Sequence, residues 1–243
     1  MSDSTHMIRL ELDSRRLYEM ADRPAFSRHG AADPGYLIHC SLRETFGESA
    51  PGPFSVQSYK SSKIEVLGYS AEPAERLEYE ARSRCESAST PAVHLVRLAS
   101  KRMPEKYPEG LRLSFQVRLC PVLRRSKGEK GGRGPELDVY LAKALDAGPD
   151  AGLDRRAVYE EWFRSLMKRK GARVEAVRLK AFRLARLLRR DRDRKSRPLD
   201  RPDATFEGFL TVTDEDLFHE AVRRGIGRHR AFGFGMLLLR PVC

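Results

Sequence analysis

The segment Thr205–Pro241, TFEGFLTVTDEDLFHEAVRRGIGRHRAFGFGMLLLRP, contains a strand pattern, a helix pattern, a glycine-rich loop and a second strand pattern, in that order. Apolar and polar residues alternate in TFEGFLTVT, as in a strand with one buried face. DEDLFHEAVRR predicts a helix that begins with a capping box of Thr213 and Asp216 and ends at Gly225. MLLLRP predicts a closing strand. This part of the chain is therefore expected to form a strand–helix–strand unit.

The loop between this helix and the closing strand contains four glycines and three basic or imidazole side chains. They are Gly225, Gly227, Gly233, Gly235, Arg228, His229 and Arg230. A dinucleotide-binding fingerprint leads from a strand into a helix, whereas this loop leads from a helix into a strand, and the sequence contains no GxxxxGK[ST] motif. Glycines allow positive φ and close approach, so the backbone N–H groups can bind phosphate oxygens. A tight connector packed under the sheet is the alternative interpretation.

The sequence shows one order of elements twice. In the first half, strand patterns in MIRLELD, PFSVQSY, KIEVLGY and VHLVRLA accompany helix patterns at 33–48 and 74–85. In the second half, LRLSFQVRLCPVL predicts a strand, SKGEKGGRG a glycine-rich insert and LDRRAVYEEWFRSLMKRKG a helix. Together they predict an α+β fold of two tandem ferredoxin-like, RRM-like βαββαβ domains at 7–100 and 111–243, joined by a linker at 101–110. The open sheets and the cleft of such an arrangement suit RNA.

Positive charge is concentrated in the second half. The chain has a formal net charge of +12, and Arg178–Arg201 contains eleven Lys or Arg against three Asp, a local net of +8. This density is typical of a surface that binds polyphosphate, and a solvated basic face is the alternative. VEAVRLKAFRLARLLRR fits a strand and a basic helix equally well, and DRDRKSRP predicts an exposed turn. The candidate RNA contacts here are Arg124, Arg125, Arg178, Lys180, Arg183, Arg186, Arg189 and Arg190.

The sequence contains no pattern for a metal or cofactor site. The four cysteines lie apart without a CxxC pair, and no HExxH motif or acidic pair with further ligands is present. We therefore expect no metal and no cofactor. No run approaches the roughly 18 apolar residues of a membrane span, so we expect no membrane contact and a cytoplasmic protein.

One histidine has neighbours that suit catalysis. Tyr36, His39 and Arg43 are three and four residues apart, so on a helix they share a stripe away from the apolar face. RNA can be cut without a metal when the 2′-hydroxyl attacks its own phosphate, which requires a proton acceptor, a proton donor and nearby cations. Histidine carries protons near neutral pH, so His39 is the candidate catalytic residue and Arg43 a candidate phosphate contact. The alternative for His39 is an edge position half-packed against Phe46.

The segment Thr205–Pro241 resembles the C-terminal signature of the CRISPR repeat endoribonucleases, most closely the type I-E branch called CasE. The resemblance extends through LRLSFQVRLCPVLRR, WFRSLMKRKGARVEAVRL and, more weakly, YLIHCSLRETFG. It implies a tandem ferredoxin-like fold whose basic hairpin, here Arg178–Arg201, docks in the groove of an RNA stem. The Tyr-x-x-His pair implies that His39 is the general acid or base and that Tyr36 is its partner at the scissile phosphate.

The resemblance also implies what the protein does. The family binds the stem-loop of each CRISPR repeat, cuts the precursor at the 3′ base of the stem, and stays on the crRNA as a subunit of the Cascade interference complex. The expected partners are the repeat RNA hairpin and other Cascade subunits, with target DNA met only through the complex. Two alternatives stay open: a catalytically silent subunit that binds the same hairpin, and a general RNA binder without preference for one repeat.

Overall fold

The computed structural model describes residues 4–22, 33–60, 62–85, 92–127, 132–148, 151–190 and 196–242, which form ten strands and six α-helices. The strands are β1 His6–Asp13, β2 Phe54–Lys60, β3 Lys63–Ser70, β4 Ala99–Arg102, β5 Arg112–Leu119, β6 Val122–Lys127, β7 Gly132–Asp138, β8 Ala172–Arg190, β9 Ser196–Val212 and β10 Leu238–Pro241. The helices are α1 Ser14–Glu19, α2 Pro34–Phe46, α3 Ala74–Cys85, α4 Val139–Ala147, α5 Arg155–Lys168 and α6 Glu215–Arg224. In these ranges no helix is long and apolar enough to cross a membrane.

The first sheet has four antiparallel strands in the order β2-β3-β1-β4. Alternation along β1 sends Ile8, Leu10 and Leu12 into a core with residues of α2 and α3, so both helices cover one face of the sheet. The other face turns toward the second half, where Met7 and Leu67 pack against its core. The strand order and the alternation of strands and helices are those of a ferredoxin-like unit.

The second sheet repeats this arrangement with four antiparallel strands in the order β10-β5-β9-β8. Its core contains three stacked aromatic rings: Phe163 of α5 lies between Phe115 and Phe206, with centroid distances of 5.1 and 5.0 Å. The predicted fold class, α+β with two tandem ferredoxin-like units, is therefore confirmed. The domain boundaries, 7–100 and 111–243, stay predictions.

The basic segment that fitted a strand and a helix equally well is a strand. β8 pairs with β9 along its whole length. β5 pairs with β9 only as far as Ala204, so beyond that point no third strand among the described residues joins the hairpin. The part of the hairpin beyond Ala204 is the hairpin extension. Side chains alternate along it, so Leu187 is buried against Phe232 and Phe234 of the glycine loop, whereas Leu184 is exposed on the opposite side. Most of the predicted turn DRDRKSRP, residues 191–195, lies outside the described residues.

Two predicted strands differ from those observed. The apolar run VHLVRLA is not one strand, because it contains a 3-10 turn at Leu95–Arg97 and the strand begins only at Ala99. LRLSFQVRLCPVL forms two strands, with a break at Cys120 and Pro121. Proline has no N–H to donate to a neighbouring strand, so the chain leaves the sheet there and starts a separate hairpin.

The second half contains further elements that the sequence patterns did not predict. The glycine-rich insert SKGEKGGRG supplies the ends of β6 and β7, which pair as a two-stranded sheet; residues 128–131 lie outside the described part of the chain. Helix α4 was not predicted, and it begins at Asp138, whose side chain accepts from the backbone N–H of Tyr140 at 2.7 Å. The predicted cap of α6 is wrong: Asp214, not Thr213, caps the helix.

Two of the contacts between the halves position the candidate site. The buried Tyr69 of β3 donates its hydroxyl hydrogen to the carbonyl oxygen of Leu237, at 2.7 Å. At the other contact α2 meets the glycine loop, where a Cβ at position 35 would lie 2.4 Å from the carbonyl oxygen of Phe232. Gly35 is therefore required for this close approach, which fixes the first turn of α2 against the loop.

Candidate active site and basic groove

Helix α2 positions the predicted catalytic side chains. Its N-cap is Asp33, whose carboxylate accepts from the backbone N–H of Tyr36 at 3.0 Å, and its C-cap is Gly47, which has a φ of 58°. Burial raises the pKa of Asp33, and the N–H of Tyr36 offsets part of that rise. The cap fixes the first turn of the helix. Tyr36 and His39 are three residues apart, so they lie on one side of the helix, about one turn apart.

Tyr36 and His39 lie where α2 meets the glycine loop. Their ring centroids are 6.2 Å apart, and the Tyr36 ring stacks on Phe232 of the loop at 5.5 Å. His39 is half-buried and lines a pocket of about 250 Å³, to which the second half contributes Arg224 and Arg230. The structure thus brings the two predicted catalytic side chains together, with cations from the other half close by.

His39 has the electrostatic setting of a proton acceptor. Burial lowers the pKa of its imidazole below the ordinary 6.5, and the positive charge of Arg43 lowers it further. A lowered pKa keeps the ring neutral near pH 7, and a neutral imidazole accepts a proton. Arg43 lines the same pocket but is also paired with Glu48, with 2.5 Å between Nη2 and Oε1. Its predicted contact with a phosphate competes with this ion pair.

The glycine loop is a closed turn. The N–H of Ile226 donates to the carbonyl oxygen of Gly235 at 2.9 Å and so joins the two ends of the loop. Gly235 has a φ of +92°, and a Cβ there would lie 2.3 Å from the carbonyl oxygen of Ile226, so only glycine fits. Inside the loop His229 has a φ of 60°, and its carbonyl accepts from the N–H of Phe232 at 2.8 Å. These bonds fix the directions of the basic side chains.

One buried carboxylate holds two residues of the loop, Arg228 and His229. Glu136 of β7, whose side chain is 7% exposed, lies 2.9 Å from His229 Nε2, 3.2 Å from Arg228 Nη1 and 3.1 Å from Arg124 Nη2. Arg201 lies 3.8 Å away. Burial raises the pKa of Glu136, but His229 and Arg124 outweigh burial, so the pKa is lowered overall. Three guanidinium groups around one carboxylate leave a net positive charge.

A groove of about 940 Å³ lies beside helix α5 and is lined by Glu136 and by the basic residues Arg124, Arg228, His229 and Arg230. Arg169 and the half-buried Trp162 of the α5 region add a fourth guanidinium and an indole to its wall. Neither residue was predicted from the sequence, and neither was Glu136, which is the one acidic residue among the described lining residues. For Arg169, the basic KRKG stretch after α5 was an available signal. The predicted contacts that the groove brings together are Arg124, Gly227, Arg228, His229 and Arg230.

The basic groove and the His39 pocket are neighbours. Arg230 and Ala231 line both of them. Arg230 Nη1 donates to the carbonyl oxygen of Arg224 at 2.6 Å, which holds the arginine between the two spaces. A polyanion bound in the groove therefore lies next to the pocket of His39.

The predicted contacts on the long hairpin do not form one patch. Arg178 and Lys180 both pair with Glu207 on the open face of the second sheet. Arg186 pairs with Asp200, at 3.2 Å, in the extension beyond the sheet. The structure does not describe the side chains of Arg125, Arg189 and Arg190.

Arg183 belongs to an ion cluster that links the hairpin to the glycine loop. The buried carboxylate of Asp203 accepts from Arg183 Nε at 2.7 Å and from Arg118 Nε and Nη2 at 2.8 and 2.9 Å. Arg118 also lies over the ring of Phe234, 4.2 Å from its centroid. Burial raises the pKa of Asp203, but the two arginines outweigh burial and lower it. One predicted RNA contact, Arg183, is therefore already engaged within the protein.

Metal-ligating residues are scattered in this structure. Among the described residues, no group of three or more His, Cys, Asp or Glu side chains could hold a metal ion. Cys40 and Cys120 form no disulfide. The expected absence of a metal and of a cofactor stays a prediction.

Solved structures share this fold over nearly the whole chain. Thermus thermophilus Cse3 bound to an RNA representing a pre-cleavage complex is 18% identical, with a TM-score of 0.60 over 98% of this chain and 100% of that chain. Escherichia coli Cas6e is 20% identical, with a TM-score of 0.59 and the same coverage. A chain of a CRISPR RNA-guided surveillance complex is 19% identical, with a TM-score of 0.54, again over 98% and 100%. At these identities the likeness shows a common fold.

The sequence itself matches a known family. No curated protein sequence matches this chain. A family model described as CRISPR associated protein matches residues 5–241, which include both sheets, helix α2, the basic groove and the glycine loop. The chain therefore belongs to this family of CRISPR associated proteins.

Proposed function

We propose that the protein is an endoribonuclease that binds the hairpin of a CRISPR repeat and cuts the precursor RNA at the 3′ base of the stem. The observation that carries the proposal is the adjacency of the basic groove and the His39 pocket, which share Arg230 and Ala231. Membership of the family of CRISPR associated proteins supports the proposal. The fold shared with an RNA-bound Cse3, which is named a CRISPR endoribonuclease, supports it as well. A basic groove can bind RNA, and a half-buried histidine with a lowered pKa beside it can act as the proton acceptor that cleavage requires.

The proposed cleavage uses only groups of this chain and of the RNA. The 2′-hydroxyl attacks the adjacent phosphorus while His39, neutral because its pKa is lowered, accepts the hydroxyl proton. Arg224 and Arg230, which line the pocket, stabilise the charge of the phosphorane. Tyr36, whose ring centroid lies 6.2 Å from that of His39, is its proposed partner at the scissile phosphate. The bond between phosphorus and the 5′-oxygen breaks, and the leaving oxygen takes up the proton that His39 accepted, which returns His39 to its neutral form. The products carry a 2′,3′-cyclic phosphate and a 5′-hydroxyl.

The proposed site for the RNA stem is the basic groove. A-form RNA is recognised mainly through its backbone and shape, and contacts with phosphates provide most of the electrostatic affinity. Arg124, Arg169 and Arg228 can provide such contacts. Glu136 holds Arg124 and Arg228 in place before RNA arrives, so less side-chain entropy is lost on binding. Arg186, on the hairpin extension, is a proposed further contact, and Arg189 and Arg190 stay predictions from the sequence.

The proposal includes the fate of the product. We infer that the protein stays on the stem after cleavage as a subunit of the Cascade complex, in the cytoplasm, and meets target DNA only through that complex. The support is that a chain of a CRISPR RNA-guided surveillance complex shares this fold.

The test is cleavage of a labelled CRISPR-repeat hairpin in EDTA by the wild type, by His39→Ala and by His94→Ala. His94 is also half-buried but does not line the pocket, so it is the matched control. We expect His39→Ala to lower the cleavage rate by about 10²- to 10⁴-fold, the usual contribution of one acid–base group. We expect its affinity for the hairpin to stay within about twofold, since the groove holds the stem.

Three results would contradict parts of the proposal. Tight binding without cutting by the wild type would make the protein a catalytically silent hairpin-binding subunit. Equal cutting by His39→Ala would mean that the active site lies elsewhere. Cutting that stops in EDTA would overturn the metal-independent mechanism.

A further inference from the structure

A cleft that is separate from the basic groove and the His39 pocket lies between the open faces of the two sheets. It has a volume of about 700 Å³, with Gln57 of β2 on one side and residues of β5, β8, β9 and β10 on the other. Helices α5 and α6 cover the opposite face of the second sheet, where Phe163 and Phe218 are fully buried. Among the described residues, the cleft shares no lining residue with the basic groove or the His39 pocket.

An aromatic ring is displayed on the floor of this cleft. Phe209 lies on β9, an inner strand of the second sheet, and is 39% exposed, whereas the next residue, Leu210, is buried in the core. Its partners across the strands are the small residues Ser114 and Ala176. The guanidinium of Arg112 lies 5.4 Å from the centroid of the Phe209 ring. The ring therefore has a cation on one side and is partly open to the cleft.

The lining of the cleft carries excess positive charge. Arg178, Lys180 and Arg240 line it, and Glu207 is the one acidic residue among the described lining residues. Glu207 pairs with both Arg178 and Lys180, so one carboxylate is shared between two cations. This balance suits an anionic ligand whose charges repeat along a chain.

We propose that this cleft binds unpaired nucleotides of the same RNA, next to the hairpin, with a base stacked on Phe209 and phosphates at Arg178, Lys180 and Arg240. The inference rests on the proposed function, because it adds a second contact to that RNA. Stacking on an exposed ring requires a base that is free of its own helix, so the ligand is single-stranded. The three cations favour RNA over a docked protein, because the core of a protein–protein interface is depleted in charged residues.

The experiment compares affinities for two RNAs. One is the bare repeat hairpin and the other carries about eight extra unpaired nucleotides on the 5′ or the 3′ side, a length within the range of single-strand sites. Both carry a 2′-deoxy sugar at the cleavage site, so that binding is measured without cutting. The variants are Phe209→Ala, and Phe209→Leu, which keeps an apolar side chain without a π face. Tyr79→Ala is the control, because Tyr79 is 65% exposed with Arg76 over its ring at 5.8 Å.

We expect one of the two extensions to tighten binding by the wild type and by Tyr79→Ala. Both Phe209 variants should lose about 5- to 150-fold of that gain, the range for stacking of one base, and should bind the bare hairpin like the wild type. Thermal unfolding of each variant establishes that it is folded.

Every other outcome contradicts one of the two proposals and leaves the other to stand. If neither extension tightens binding, or if both Phe209 variants keep the whole gain, the inference is wrong; a cleft that docks a protein would give this result. The proposed function then still stands where the wild type binds and cuts the bare hairpin. If the hairpin is neither bound nor cut while single strands bind through Phe209, the cleft stands and the proposed function is wrong.

Discussion

Replacing Glu136 with Gln tests whether one carboxylate holds the glycine loop. Gln keeps the volume and one acceptor oxygen but removes the charge that Arg124, Arg228 and His229 share. Breaking a buried ion pair costs about 3–5 kcal/mol. Here Arg228 is 45% and Arg124 27% exposed, so water replaces part of what is lost. We therefore expect the unfolding free energy to fall by about 2–3 kcal/mol, which lowers Tm by about 4–12 °C.

Urea and thermal unfolding measure this loss, with Glu78→Gln as the control. Glu78 pairs with Arg82 on the surface of α3, so its replacement is expected to cost less than about 0.5 kcal/mol. Because the pKa of Glu136 is lowered from 4.5, its stabilisation is present above about pH 4.5 and is lost as the pH falls through the lowered value. Equal unfolding midpoints for the two variants at pH 7 would refute the reasoning.

The same variant has a consequence for cleavage. Phe232 of the loop stacks on Tyr36, and Arg230 of the loop lines the His39 pocket. A loop that is no longer held at Glu136 is therefore expected to lower the cleavage rate at saturating RNA. A loss of stability with an unchanged rate at saturating RNA would show that the carboxylate supports only the fold.

Three other changes test separate parts of the site. Arg43→Ala removes a positive charge beside His39, so the pKa of His39 rises toward 6.5. Because the neutral imidazole is the active form, the acid limb of the rate–pH profile should move to higher pH. Gly235→Ala places a Cβ 2.3 Å from the carbonyl oxygen of Ile226. We expect thermal unfolding to show that the free energy of unfolding falls by about 1–3 kcal/mol or more. Arg230→Ala should reduce the slope of log affinity against log salt by about one.

Each of these changes has a matched control in the chain. Arg82→Ala removes an exposed helical arginine that pairs with Glu78 and lines neither the His39 pocket nor the basic groove, so it should leave the pH profile and the salt slope unchanged. Gly152 has a φ of +53° but nothing within 4 Å of an added Cβ, so Gly152→Ala tests the backbone cost without the clash. An unmoved profile for Arg43→Ala, or equal losses for the two glycine variants, would contradict the corresponding argument.

Local patterns predicted the fold best where one face of an element is buried. Helix α3 lies at 74–85 as expected, because Pro73 precedes it and Leu77 and Ala81 recur on its core face. The segment of β8 could not be assigned, because its arginines occur at strand and helix spacings and most of its side chains contribute to no core. Pairing with β9 decides its structure, and that pairing is a tertiary contact.

The candidate site could likewise be predicted only where its residues are close in the sequence. Tyr36 and His39 could be predicted as a pair because three residues on one helix bring them to one side. The contact of Glu136 with Arg228 could not, because 92 positions separate them in the sequence. Asp203 and Arg118 are 85 positions apart. A single acid among many Lys and Arg gives no pattern by which its partner can be identified.

The position of the glycine loop explains how binding and cutting are joined under the proposed function. On the groove side Glu136 holds its basic residues, and on the pocket side the Phe232 ring stacks on Tyr36. Arg118 Nη1 also donates to the carbonyl oxygen of Phe232, at 3.4 Å. A stem seated in the groove thus sets the distance between its phosphate and His39, and a misplacement of about 1 Å can cost about 100-fold in rate. Discrimination between repeats is therefore expected in the cleavage rate more than in affinity, which single-turnover rates and binding constants on mismatched hairpins would measure.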